Sequence, residues 1–87
     1  MIVRMTIKVR VLYFGQARDA AGRSGEEFSL SGPTSLRDLV ELTESRHAEL
    51  ARLNRTTRMA VNAELAVGDQ RLRDGDEVAF LPPVAGG

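Results

Sequence analysis

Hydrophobic and polar residues alternate along the first part of the chain. Residues 6–14 follow this period of two and are rich in β-branched side chains, which predicts a β-strand. One face of this strand carries Ile7, Val9, Val11 and Tyr13. The other face carries Lys8, Arg10, Leu12 and Phe14. The first set is expected to face the core, because a strand presents alternate residues to opposite sides of its sheet.

The period changes after a polar, glycine-containing loop at residues 15–25 and a second strand at residues 26–30. Thr34 or Ser35 can cap a helix, and the carboxylate of Asp38 lies three residues after Ser35. Apolar spacings of three and four then predict one helix that ends near Leu53 and Asn54. Its buried stripe comprises Leu36, Leu39, Val40, Thr43, His47 and Leu50.

Short strands fill the remainder of the chain. Residues 59–61 predict a strand, residues 62–63 a tight turn, and Leu72 a buried plug ahead of a turn at residues 74–76. Residues 77–81 form the final strand. The order of elements predicts an α+β fold, with a mixed four- or five-stranded sheet and one main helix packed on one face.

Three apolar side chains are expected on the sheet face away from the helix. Leu12 and Phe14 alternate with the core side of the first strand, and Leu81 alternates with the core side of the last. If the two strands are neighbours, these residues form a contiguous patch, which is typical of a partner interface. A register shift of one residue would bury them instead.

Composition narrows the function classes. A length of eighty-seven residues predicts one domain, residues 1–81. The formal net charge is zero, so the chain lacks the basic excess that is typical of a nucleic-acid binder. No apolar run is long enough for a membrane span, so we expect no membrane partner and a cytoplasmic protein. The chain has no cysteine and a single histidine, so no metal site and no cysteine nucleophile are expected.

A stiff apolar tail, residues 82–87, follows the domain. Its two prolines favour an extended stem, and its two glycines could enter a narrow passage. Six extended residues reach about 20 Å. The tail comprises Pro82, Pro83, Val84, Ala85, Gly86 and Gly87. It is interpreted as a probe that presents the carboxylate of Gly87 to a partner.

Three stretches carry a resemblance that covers nearly the whole chain. They are residues 11–18 (VLYFGQAR), residues 61–62 (VN) and residues 74–87 (DGDEVAFLPPVAGG). In these stretches the chain resembles the small, sulfur-carrier subunits of molybdopterin synthase. The resemblance implies the ubiquitin-like β-grasp fold.

The resemblance also implies a chemistry. A ubiquitin-activating-type adenylyltransferase would consume ATP to adenylate Gly87, and sulfur would then convert this carboxylate into a thiocarboxylate. The tail would deliver that sulfur to cyclic pyranopterin monophosphate inside the large synthase subunit, with no cofactor bound to this chain. In this interpretation the reactive residue is Gly87, and the partner-binding residues are Leu12, Phe14, Leu81, Pro82, Pro83, Val84, Ala85 and Gly86. A carrier for thiamine, cysteine or tRNA thiolation, a ubiquitin-like protein modifier and a plain binding module remain as alternatives.

Overall fold

The computed structural model describes residues 6–81, which form one five-stranded sheet and three helices. The elements are β1 (Thr6–Tyr13), α1 (Gln16–Ala21), β2 (Gly25–Ser31), α2 (Leu36–Arg46), α3 (Leu50–Leu53), β3 (Arg58–Val61), β4 (Glu64–Leu65) and β5 (Glu77–Leu81). The strands lie in the order β2-β1-β5-β3-β4. Only the central pair, β1 and β5, is parallel among these strands, so the predicted mixed sheet is confirmed.

The inner face of the sheet is built on β1, as the alternation predicts. Val9, Val11 and Tyr13 are almost completely buried. Val11 lies opposite Val78 of β5, which in turn lies opposite Val61 of β3, so one apolar row crosses three strands. The helices cover this face, and the core includes Phe28, Leu30, Leu36, Leu39, Leu50, Leu72 and Phe80.

The start of α2 follows the expected capping chemistry. The hydroxyl of Ser35 accepts a hydrogen bond from the Asp38 backbone N–H at 3.1 Å, and the Asp38 carboxylate accepts one from the Ser35 N–H at 3.2 Å. These bonds satisfy two donors that helix geometry leaves without a partner. The predicted start of the helix is therefore confirmed.

The predicted end of this helix is wrong. α2 ends at Arg46, His47 leaves the helical conformation with φ −132°, and a separate short helix, α3, contains Leu50. His47 Nε2 lies 2.6 Å from a carboxylate oxygen of Glu26 on β2. The residue between the two helices thus contacts Glu26, a side chain on a different element. The helical period of the sequence cannot predict such a contact.

A helix was also missed within the predicted loop at residues 15–25. α1 buries Ala17 and Ala21, which are four residues apart and therefore share one helix face. Gly22 ends the helix with φ 73°, and its N–H donates to the carbonyl of Arg18. The spacing of Ala17 and Ala21 was the sequence signal for this helix. The glycines on either side of it, Gly15 and Gly22, favoured a loop instead.

Both predicted turns are confirmed. Asn62 and Ala63 have φ of 51° and 69° between β3 and β4. Gly75 has φ 87° in the second turn, and its N–H donates to the Lys8 carbonyl at 2.8 Å. Leu72, the predicted plug, is buried. Within residues 6–81 no helix has the length and apolar character needed to cross a bilayer.

A buried carboxylate joins β1, β2 and the end of α2. The Tyr13 hydroxyl donates to Glu26 at 2.7 Å, and His47 lies on the same oxygen. Arg46 and Arg23 lie 3.5 Å and 3.6 Å from the other oxygen, and the Glu26 side chain is only 6% exposed. Burial raises the pKa of Glu26, but the hydrogen bonds from Tyr13 and His47 and the nearby positive charge outweigh it and leave this pKa below its ordinary value. Burial, and then the bond to Glu26, raises the pKa of Tyr13 far above its ordinary range.

Glu26→Gln replaces this carboxylate by a neutral amide of similar size. We expect the free energy of unfolding at neutral pH to fall by about 1–3 kcal/mol, because Tyr13 and His47 lose a charged acceptor. The pKa of Glu26 in the folded protein lies below its ordinary value of 4.5, so its stabilisation is present above that pH and is lost as the pH falls through the folded-state pKa. Urea denaturation at neutral pH and at steps below pH 4.5 measures the difference between the two proteins.

Glu27→Gln is the matched control, because Glu27 is the next residue of β2 and is exposed. We expect it to change stability by less than about 0.5 kcal/mol. A difference between the wild type and Glu26→Gln that stays constant on acidification would contradict the charged role of Glu26.

Candidate functional site

The sheet face away from the helices carries a row of apolar side chains across four strands. Leu12 lies opposite Ala79, Ala79 opposite Ala60, and Ala60 opposite Leu65. Residues directly opposite each other on neighbouring strands point to the same side of a sheet. We call these four residues the apolar row.

The shape of the apolar row follows from its side chains. Two alanines form its middle, where Ala60 is 6% exposed, and leucines stand at its two ends. Leu12 is half-buried, whereas Leu65 is 65% exposed. The row is thus a flat apolar strip with a projecting side chain at one end, and contiguous apolar surface of this kind is typical of a partner interface.

Two further apolar side chains lie at the end of the sheet where the chain leaves it. Phe14 follows the last residue of β1 and is 48% exposed, and Leu81 is the half-buried last residue of β5. Tyr13 lies opposite Phe80, so the two strands finish side by side. We call Phe14 and Leu81, with Arg58 opposite Leu81 on β3, the tail base.

The predicted patch therefore exists as a surface. Leu12 and Leu81 lie on the face opposite the core, and Phe14, just beyond the end of β1, is exposed. The alternative register that would bury Leu12 is excluded because Val11 and Tyr13 occupy the core. The tail residues of the sequence prediction lie outside the described residues: Pro82, Pro83, Val84, Ala85, Gly86 and Gly87.

Leu65 was not among the predicted site residues, although the sequence contained the necessary signal. A two-residue turn at Asn62 and Ala63 places Val61 opposite Glu64 and Ala60 opposite Leu65. Since Ala60 alternates with the buried Val61, Leu65 had to share the outer face. The sequence analysis predicted the turn but did not use it to work out which residues of β3 and β4 lie opposite each other.

Aromatic packing supports the tail base from the inner side of the sheet. The Tyr13 ring packs edge-on against Phe80, with centroids 5.4 Å apart, and against His47, with centroids 5.9 Å apart. Such edge-to-face pairs add about 0.5–1.5 kcal/mol beyond the area they bury. The ends of β1 and β5 are therefore held in place where the chain departs towards the tail.

The chemistry of this face is that of binding. It carries apolar side chains, and in residues 6–81 no group of three His, Asp or Glu side chains is placed to hold a metal ion. The buried carboxylate of Glu26 lies on the inner side of the sheet and is surrounded by its own donors. The described residues thus present an apolar surface next to Leu81, where the chain leaves the sheet.

Comparisons with known proteins identify the family. The ThiS family matches residues 11–87. The molybdopterin synthase sulfur carrier subunit of Mycobacterium tuberculosis is 42% identical over 82 residues, which are 93% of this chain and 99% of that protein. A Pyrococcus furiosus structure, solved under the provisional name molybdopterin converting factor subunit 1, superposes with a TM-score of 0.82 at 34% identity and covers 90% of this chain and 99% of that one.

A third relative is part of a complex. In a solved complex of subunits 1 and 2 of the molybdopterin-converting factor from Helicobacter pylori, the matching chain has a TM-score of 0.65 and 27% identity. The match covers 93% of this chain and 100% of that chain. The fold of the described residues is the ubiquitin-like β-grasp implied by the sequence resemblance. The chain belongs to the ThiS family, alongside the sulfur carrier subunits of molybdopterin synthase.

Proposed function

We propose that this chain is the sulfur carrier of a molybdopterin synthase. Its activated tail donates sulfur to cyclic pyranopterin monophosphate in the large subunit, and the reactive group is the carboxylate of Gly87. The observation that carries the proposal is positional. The apolar row and Leu81 share the outer face, and Leu81 is the last residue of β5 before the sequence continues to Gly-Gly, so a partner docked on this face would lie next to the start of the tail.

The tail chemistry needs no catalytic side chain from this protein. A carboxylate is a poor electrophile, so a carboxylate oxygen of Gly87 first attacks the α-phosphate of ATP, and pyrophosphate leaves. A persulfide or hydrosulfide donor next attacks the acyl carbon, and AMP leaves with the electrons of the broken C–O bond. A persulfide donor leaves an acyl disulfide, and a thiol reductant then attacks its S–S bond, becomes part of a new disulfide with the donor sulfur and releases the thiocarboxylate. ATP is consumed by a ubiquitin-activating-type adenylyltransferase, and we propose no cofactor on this chain.

Two partners use the carrier in turn under this proposal. The adenylyltransferase charges the tail, and the large synthase subunit accepts it, both in the cytoplasm. The complex of the Helicobacter pylori relative supports the second partner. Leu12, Phe14 and Leu81 would lie in the docked interface, with Leu65 added by the structure, and residues 82–86 would thread towards the active site of the partner.

The first test separates docking from folding. We expect Leu12→Asp and Phe14→Asp each to weaken binding to the large subunit by at least about tenfold, because the new carboxylate is hydrated in the free domain but desolvated in the complex. Ala51→Asp on α3 is the matched control, since Ala51 is exposed on the helical side. Isothermal titration calorimetry measures binding, and urea denaturation measures stability.

In this test all three variants should lose little stability. A loss of several kcal/mol in Leu12→Asp or Phe14→Asp, against the few tenths typical of surface sites, would show that these side chains serve the fold. Binding by both variants at wild-type affinity would show that the large subunit docks elsewhere.

The second test addresses the tail itself. Deletion of Gly87 moves the terminal carboxylate back by about 3.5 Å. We expect sulfur transfer to fall to background, because the reaction requires near-attack placement of the acyl carbon. Mass spectrometry detects the thiocarboxylate after incubation with adenylyltransferase, ATP and a sulfur donor, and pterin product is measured with the large subunit.

The control for the deletion is Ala51→Asp, which leaves the tail intact and lies on the helical side of the domain. We expect this variant to retain most of the activity. A truncated chain that is charged and supports product formation as fast as the intact one would disprove the proposed function. Charging without pterin product, but with thiolation of another acceptor or with isopeptide bonds to lysines, would assign the chain to one of the alternative pathways.

A further inference from the structure

A row of alternating charge borders the apolar row on the same face. Arg10 of β1 lies opposite Glu27 of β2 and opposite Glu77 of β5, and all three side chains are exposed. Arg10 is two residues before Leu12, so the two rows are adjacent. Across three neighbouring strands the order of charge is negative, positive, negative. We call these three residues the charged row.

The charged row is not neutralised within the described part of the chain. Between residues 6 and 81 the ion pairs with N–O distances up to 4 Å all involve Glu26, which lies on the inner face. Arg10 therefore makes no close ion pair with either of the carboxylates opposite it. Cross-strand pairs of opposite charge usually stabilise a sheet by only about 0.2–1 kcal/mol, so the intramolecular benefit here is small.

The backbone beneath the charged row is tightly held. The Arg10 N–H donates to the carbonyl of Asp76 at 2.9 Å. The Glu77 N–H donates to the side-chain oxygen of Asn62 at 3.0 Å, and the Asn62 N–H donates to the Glu77 carbonyl at 2.8 Å. Adjacent strands lie about 4.8 Å apart, so the backbone places these three residues at a short spacing on one face of the sheet.

We propose that the charged row is the electrostatic border of the docking face and selects the large synthase subunit. The complementary surface carries an anionic side chain opposite Arg10, flanked by cationic side chains opposite Glu27 and Glu77. This inference rests on the proposed function, because the same subunit must cover the adjacent apolar row.

The charge of the whole chain supports a local role for this border. The formal net charge is zero, so the net charge of the protein gives no long-range electrostatic attraction to a charged partner. Interfaces combine an apolar centre with a polar rim, and rim charges mainly set the association rate, the register and the rejection of wrong partners. An apolar row beside a charged row has this arrangement on one face of one sheet.

The test is a charge swap, Arg10→Glu with Glu77→Arg. The double variant keeps the composition, the net charge and opposite signs at the β1–β5 pair, but across β2, β1 and β5 the order of charge becomes negative, negative, positive. Glu49→Arg with Arg52→Glu is the matched control, because both residues are exposed on the helical side at α3. Surface plasmon resonance against the purified large subunit gives association rates and Kd at low and high salt.

We expect the swap to lower the association rate and the affinity about tenfold at low salt. At 1 M NaCl the Debye length is about 3 Å, and the swap variant and wild type should agree within about twofold. The control should match the wild type at both salt concentrations. Glu77→Gln, a milder change that removes one charge, should shift the affinity in the same direction by about threefold.

Other outcomes overturn the inference. A swap variant that binds as tightly as wild type at low salt, or that stays tenfold weaker at high salt, shows that the charged row does not act as an electrostatic border. Slower charging by the adenylyltransferase with normal binding to the large subunit assigns the row to the other partner. In these cases the proposed function stands if Leu12→Asp, made in the otherwise wild-type chain, still weakens binding to the large subunit by at least about tenfold. A wild-type chain that does not bind the large subunit disproves the proposed function and this inference together.

Discussion

The register between β1 and β5 decides which side chains the domain buries and which it presents. Val11 lies beside Val78 on the inner face, and Leu12 lies beside Ala79 on the outer face. A shift of one residue would exchange the two sets, because side chains alternate along a strand. The same pairing brings the end of β1 next to Leu81, where the chain leaves the sheet. Core, docking face and tail base therefore depend on one parallel strand pair at the centre of the sheet.

The buried carboxylate of Glu26 reinforces that pairing at its critical end. A buried charge is costly unless its hydrogen bonds are satisfied, and here Tyr13 and His47 bond it while two arginines lie nearby. Tyr13 also packs on Phe80, so the cluster connects the end of β1 with the end of β5. The same cluster includes His47, the residue at which α2 ends. One polar group thus contacts both the end of α2 and the end of β1.

The two faces of the sheet divide the tasks of the protein. The apolar side chains of the inner face stabilise the fold, and the outer face carries the apolar and charged rows that we propose for recognition. Because the proposed chemistry takes place at the carboxylate of Gly87 and within partner enzymes, the domain itself needs only to be stable and recognisable. This division agrees with the composition of the chain, which contains no cysteine and only one histidine. That histidine, His47, packs against the ring of Tyr13 at the edge of the core.

Local patterns in the sequence determined the strands, the start of α2 and the two turns. They also assigned Leu12, Phe14 and Leu81 to the outer face, since alternation follows from backbone geometry that each segment carries by itself. The stretches at residues 11–18, 61–62 and 74–87 together indicated the family. These features depend on neighbours in sequence, so the sequence contains them directly.

Tertiary structure alone decided three other features. The end of α2 depends on Glu26, twenty-one residues before His47, and no helical period records that contact. The helix α1 depends on burying Ala17 and Ala21 against the core, although its flanking glycines are typical of a loop. The charged row depends on strand order, because Arg10, Glu27 and Glu77 are adjacent only after β1 has paired with strands far away in sequence. Each of these features arises from contacts between distant segments, and such contacts form only when the chain folds.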